Sequence, residues 1–157
     1  MRLRGPAVLL PADVDTDQII AGRYLRTRDP STWVTHAFED LDPTLAGRLA
    51  GSVLVAGPNF GCGSSREQAA RALRDAGVVA VVAPTFARIF FRNAVNLGLP
   101  VAEASLDCDE GETVEIDLAA GTVRAGTRPP VACGPLSPRM QEILEAGGLV
   151  EFLRGQA

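Results

Sequence analysis

Ser64, Ser65 and Arg66 stand directly behind the glycine-rich run Gly57-Pro58-Asn59-Phe60-Gly61-Cys62-Gly63, and Glu67 follows them. A glycine loop that feeds a helix presents free backbone N–H groups and the positive end of the helix dipole, an environment suited to an anion. A hydroxyl lodged there is stabilised as an alkoxide, and a neighbouring guanidinium grips a carboxylate through two parallel hydrogen bonds. Together these groups suit removal of a proton next to a carboxylate. Phosphate cradling fits less well, because the phosphate-loop lysine is missing and Arg66 occupies the place of the third glycine in a dinucleotide fingerprint.

Each residue also has a plainer role. Ser64 and Glu67 have the spacing of a capping box, so Ser64 is expected to cap a helix whether or not it does chemistry. Arg66 fits a solvated first-turn position poorly, since a cation sits badly at a helix N-terminus unless an anion binds beside it. Cys62 reads as a half-buried filler next to the site. Asp13, Asp15 and Asp17 alternate as in a calcium loop, but no glycine follows at the sixth position and Tyr24 stands at the twelfth. At least one of the three is expected to bond its own backbone in a turn. Arg23, Arg26 and Arg28 are either solvated surface or a second carboxylate clamp. Arg88 and Arg92 form either a polar outer stripe or a patch that meets a partner.

Composition removes several chemistries. All fifteen basic residues are arginine, which excludes Schiff-base and pyridoxal phosphate lysines. His36 is the sole histidine and no CxxC or HxxxH pair exists, so no metal site is expected in this chain and a serine hydrolase has one candidate base. A net charge of -4 offers no basic face to nucleic acid. The apolar runs are far below the ~20 residues of a membrane span, and no signal-peptide pattern opens the chain. Three widely spaced cysteines fit a reducing, cytoplasmic compartment.

The elements that must position these groups follow from periodicity. Short strands are predicted at Ala7–Leu10, Ser52–Ala56 and Val78–Ala83. A helix is predicted from the Ser64 capping box to about Ala76, with Gly77 as its stop, and a second from near Thr85 to about Gly98. Pro43–Ala50 reads as a short helix opened by Asp42. Thr113–Leu118 alternates like a half-exposed strand and is followed by Gly121 and a further strand near Val123, which suggests a hairpin. Pro138–Ala146 and Leu149–Arg154 read as closing helices. Strand, helix, strand, helix, strand is a parallel crossover pattern, so the expectation is one mixed α/β domain spanning 1–157.

Three segments taken together carry a resemblance. They are Asp15-Thr16-Asp17-Gln18-Ile19, Asn59 through Glu67, and Phe86-Ala87-Arg88-Ile89-Phe90-Phe91-Arg92-Asn93 through Gly98-Leu99-Pro100. In order and spacing they resemble the small subunit of isopropylmalate isomerase and homoaconitase. The resemblance implies a single swivelling β/β/α domain like the C-terminal domain of aconitase. It also implies a four-iron four-sulfur cluster carried by a larger partner subunit, with no cofactor bound by this chain. Ser64 then matches the catalytic base, Ser65 and Arg66 match carboxylate-binding residues, and Asp17 matches a supporting aspartate beside Gly61, Cys62 and Gly63.

Tyr24-Leu25-Arg26-Thr27 lies where this family reads the far end of its substrate. Arg26 there suits a third carboxylate, with Tyr24 and Thr27 in support. An unpaired buried guanidinium facing an isopropyl group would cost on the order of 3–5 kcal/mol. The expected substrate is therefore homocitrate or homoaconitate, with isopropylmalate as the alternative. Two other classes compete: a free-standing anion-binding module and a non-catalytic scaffolding subunit. An exposed partner face would favour a homo-oligomer of the isolated chain, though the sequence does not give the oligomeric state.

Overall fold

The computed structural model describes residues 1–156, so only Ala157 of the expected 1–157 unit lies outside the described residues. One seven-stranded sheet organises the chain, in the order β4-β3-β2-β1-β5-β6-β7. The strands are β1 (Arg2–Leu9), β2 (Val53–Val55), β3 (Ala80–Ala83), β4 (Val101–Glu103), β5 (Thr113–Asp117), β6 (Thr122–Ala125) and β7 (Val131–Ala132). β1 to β4 run parallel to one another, whereas β1 and β5, β5 and β6, and β6 and β7 are antiparallel. β1 is therefore the seam between a parallel crossover half and an antiparallel meander.

Sequence accounts for the two halves. β2 and β3 are apolar and buried at every residue, as strands covered on both faces must be. β5 alternates half-exposed and buried residues, which is the pattern of a one-sided antiparallel strand. Its hairpin with β6 turns through Gly121 at φ 71°, where a left-handed backbone favours glycine.

The helices are α1 (Thr16–Ile19), α2 (Pro30–Thr35), α3 (Glu67–Asp75), α4 (Arg88–Asn96), α5 (Pro138–Ala146) and α6 (Leu149–Gly155). α3 buries Ala69, Ala70, Ala72 and Leu73, and α4 buries Phe90, Ala94 and Val95. Both end as expected, before Gly77 and Gly98 in the left-handed conformation. No helix among the described residues is long and apolar enough to cross a membrane.

Several expectations need correction. β1 starts at Arg2 and not Ala7, because its first residues pair with β5 from Arg2↔Asp117 to Pro6↔Thr113. Pro43–Ala50 forms only the 3-10 turn Leu45–Arg48. α4 starts at Arg88 because an isolated bridge between Phe60 and Phe86, with Ala87 N–H donating to the Phe60 carbonyl, keeps the preceding residues extended. α2 was not foreseen, although Asp29 caps it by accepting from Ser31 N–H and Pro30 opens it.

Candidate active site

The loops that leave the C-terminal ends of β1, β2 and β3 meet beside the seam, the place where ligands bind in open α/β sheets. They are stitched together by backbone bonds. Gly61 N–H donates to the Val14 carbonyl at 2.7 Å, Thr16 N–H donates to the Cys62 carbonyl at 2.8 Å, and Phe60 N–H donates to the Thr85 carbonyl at 3.1 Å. Close packing dictates the glycines. A Cβ on Gly61, at φ +82°, would sit 2.3 Å from Phe90 Cγ, and one on Gly63, at φ +91°, would sit 2.7 Å from Asp15 Oδ2.

Ser64 is not a cap. The N-cap of α3 is Arg66, without a side-chain hydrogen bond, so the expected Ser64–Glu67 capping box does not form. The reason is the turn before the helix. The Ser64 carbonyl accepts from Arg66 N–H at 2.9 Å and from the buried Thr16 hydroxyl at 3.0 Å. The chain is thus anchored through its carbonyl, and the hydroxyl is left free. The capping box occurs instead on α1, where Asp15 accepts from Asp17 N–H and Gln18 Oε1 accepts from Asp15 N–H. Asp15 is therefore the turn aspartate that was expected.

Ser64 and Ser65 are exposed, and with Arg66, Arg88 and Asn93 they line a cleft of about 180 Å³. No carboxylate lines it. Among the described residues, the N–H groups of Gly63, Ser64 and Ser65 donate to no protein acceptor. α3 and α4 both open onto this cleft without a side-chain cap, whereas α1, α2 and α5 are capped by Asp15, Asp29 and Ser137. Uncapped N–H groups and two guanidiniums around two free hydroxyls make a concentrated anion-attracting surface.

Arg66 forms an ion pair with Asp17 of α1. Cys62 contributes packing: its Sγ lies 3.7 Å from the Val14 carbonyl. Burial first, then Asp15 and Asp13, pushes the thiol's pKa up, so it stays protonated and is a poor nucleophile.

Tyr24, Arg26 and Thr27 do not line the cleft. Tyr24 donates its hydroxyl to Glu39 Oε1 at 2.8 Å and stacks on His36 with ring centroids 4.1 Å apart. Arg23 joins the same cluster, forking onto Asp40 at 2.7 and 3.0 Å and reaching Glu39. Thr27 Oγ1 accepts from Asp29 N–H. Arg26 is exposed and has no acid partner among the described residues. The segment carrying it starts beside the cleft, since a Cβ at Gly22 would lie 3.6 Å from Arg66 Nη1.

Thr16 and Asn93 belong to the cleft although neither was singled out as a site residue in the sequence. The Asp-Thr-Asp-Gln capping signal locates Thr16, and the helical spacing of Phe86, Ile89, Phe90 and Asn93 points to Asn93. Arg88, left open above, lines the cleft together with the serines. Arg92 turns away into a groove with Met140 and Ile143, which Arg88 also borders.

Residues 13–104 match the aconitase C-terminal domain family, and the chain belongs to that family, as a subunit of the hydro-lyase class. It is 49% identical over 160 residues to the 3-isopropylmalate dehydratase small subunit of Moorella thermoacetica, covering 98% of this chain and 95% of that one. It is likewise 49% identical over 152 residues to the methanogen homoaconitase small subunit of Methanothermobacter thermautotrophicus, covering 94% and 88%. A crystal structure of 3-isopropylmalate dehydratase from Methanocaldococcus jannaschii superimposes with a TM-score of 0.93 at 43% identity, covering 99% of this chain and 95% of that one.

Proposed function

We propose that this chain is the small subunit of a heteromeric hydro-lyase that isomerises a 2-hydroxy tricarboxylate, homocitrate to homoisocitrate through homoaconitate. Ser64 is the base. Its hydroxyl, ionised to an alkoxide in the positive field of the uncapped N–H groups and guanidiniums around the cleft, takes the proton from the carbon next to the one bearing the hydroxyl, and hydroxide leaves from that neighbour. Ser64 later returns the proton when water adds back across the double bond. Arg66 and Ser65 hold a carboxylate so that the reacting carbon faces Ser64. The single supporting observation is the pair of exposed serines beside two guanidiniums in a cleft that no carboxylate lines.

The residues of this chain do not fit an iron–sulfur cluster. Cys62, Cys108 and Cys133 are free and lie in separate segments. Among the described residues, no three metal-ligating side chains group together. The four-iron four-sulfur cluster belongs to the large subunit, where it supplies Lewis acidity toward the substrate hydroxyl and carboxyl.

Arg26 carries the tricarboxylate reading, as an exposed cation with no acid partner among the described residues while nearby Arg23 is paired with Asp40. Isopropylmalate is the second reading, favoured by the name of the Moorella relative. Mixing the chain with a cluster-loaded large subunit and assaying both substrates tests the proposal. The isolated chain should be inactive, the mixture should dehydrate homocitrate, and Arg26→Val should lower tricarboxylate turnover far more than isopropylmalate turnover. Activity of the chain alone contradicts the subunit role, and equal losses on the two substrates contradict the role of Arg26.

A further inference from the structure

Arg88 is the first residue of α4, a position where a cation opposes the helix dipole. The first turn of α4 carries no acid, and among the described residues Arg88 has no carboxylate partner. It is exposed, yet it lines the cleft that holds Ser64, Ser65 and Arg66. Asn93 lines the same cleft, and its side-chain amide makes no hydrogen bond among the described residues. Arg92, one turn along, does not reach the cleft, whereas Arg88 borders both the cleft and the neighbouring groove that Arg92 lines.

We infer that Arg88 is a substrate-binding residue that holds a second carboxylate, across the cleft from the one held by Arg66, and that Asn93 donates its amide to the same end of the substrate. The inference rests on the hydro-lyase reading above. It assigns the two arginines different carboxylates, so that a chain with acids at both ends is oriented before Ser64 acts. Two guanidiniums in one cleft also discriminate against substrates with a single acid group, because one cation would then be left facing an apolar end.

The test uses the assembled small and large subunits. Arg88→Ala should raise KM for the tricarboxylate at least tenfold with a smaller change in kcat, Arg88→Lys should recover part of the loss, and Arg92→Ala should leave KM within twofold. Stabilisation of the complex against heat by propane-1,2,3-tricarboxylate, titrated to give a Kd, reads binding without turnover and should weaken in parallel. An unchanged KM and Kd for Arg88→Ala overturns the inference. So does a KM rise that vanishes in excess large subunit, which would make Arg88 a docking residue. Loss of the Ser64 assignment would appear separately, as turnover that survives Ser64→Ala while the Arg88→Ala binding defect persists.

Discussion

The carboxylate of Asp17, in the first turn of α1, contacts the guanidinium of Arg66, at the N-cap of α3, although the loops that carry them leave different strands. The pair bridges the two segments that build the cleft. Asp17 is 58% exposed and Arg66 24%, so the pair contributes at most about 1 kcal/mol to stability. In the proposed function its main effect is to aim Arg66. Asp17→Asn should therefore shift the unfolding midpoint little, while kcat/KM of the assembled enzyme falls roughly 10–100-fold from a misplaced guanidinium. Melting curves and steady-state kinetics on the same preparation check both halves.

Gly61 is where the glycine loop touches the core. Alanine there meets the Phe90 ring and must also adopt a left-handed backbone, at a combined cost of about 2–4 kcal/mol. Gly22→Ala provides the contrast. Its added methyl finds only ordinary contact with Arg66, 3.6 Å from Nη1, and stability should stay within about 1 kcal/mol of wild type. Urea unfolding of the two variants should separate them clearly.

Acid should loosen the Tyr24 cluster. His36 first, then the Tyr24 hydroxyl and Arg23, hold the Glu39 carboxyl below its ordinary value of 4.5, and Arg23 does the same for Asp40. In the unfolded chain both return to ordinary values, so their contribution is present above pH about 4.5 and is lost as pH falls through the lower folded values. The stability gap between wild type and Glu39→Gln should hold at neutral pH and close in acid. A gap that widened in acid would contradict the assignment, and a pH series of thermal melts decides.

Much of the fold was legible because each signal was local. The apolar run at Val78–Ala83 had to be a covered strand, Gly77 and Gly98 had to end helices, and Thr113–Leu118 alternated as a one-sided strand. What failed depended on contacts distant in sequence. Arg2 to Pro6 look like a polar leader, and only pairing with β5 makes them strand. Ser64 has the right neighbour for a capping box, but Thr16, far along the chain, claims its carbonyl and displaces the N-cap to Arg66. In the cleft, the motif residues Ser64, Ser65 and Arg66 were readable from spacing. Arg88 was ambiguous, because the side of α4 that meets the cleft is set by the Phe60–Phe86 bridge, which no single segment reveals.

In the proposed reaction the free Ser64 hydroxyl is the base. That hydroxyl makes no hydrogen bond among the described residues, and the serine is exposed, so Ser64→Ala should leave folding and subunit assembly intact. The most direct measurement is turnover of homocitrate by Ser64→Ala small subunit assembled with cluster-loaded large subunit, its melting temperature taken alongside. A fall in kcat of about a thousandfold or more at unchanged stability is the predicted result, and turnover near the wild-type rate would contradict it.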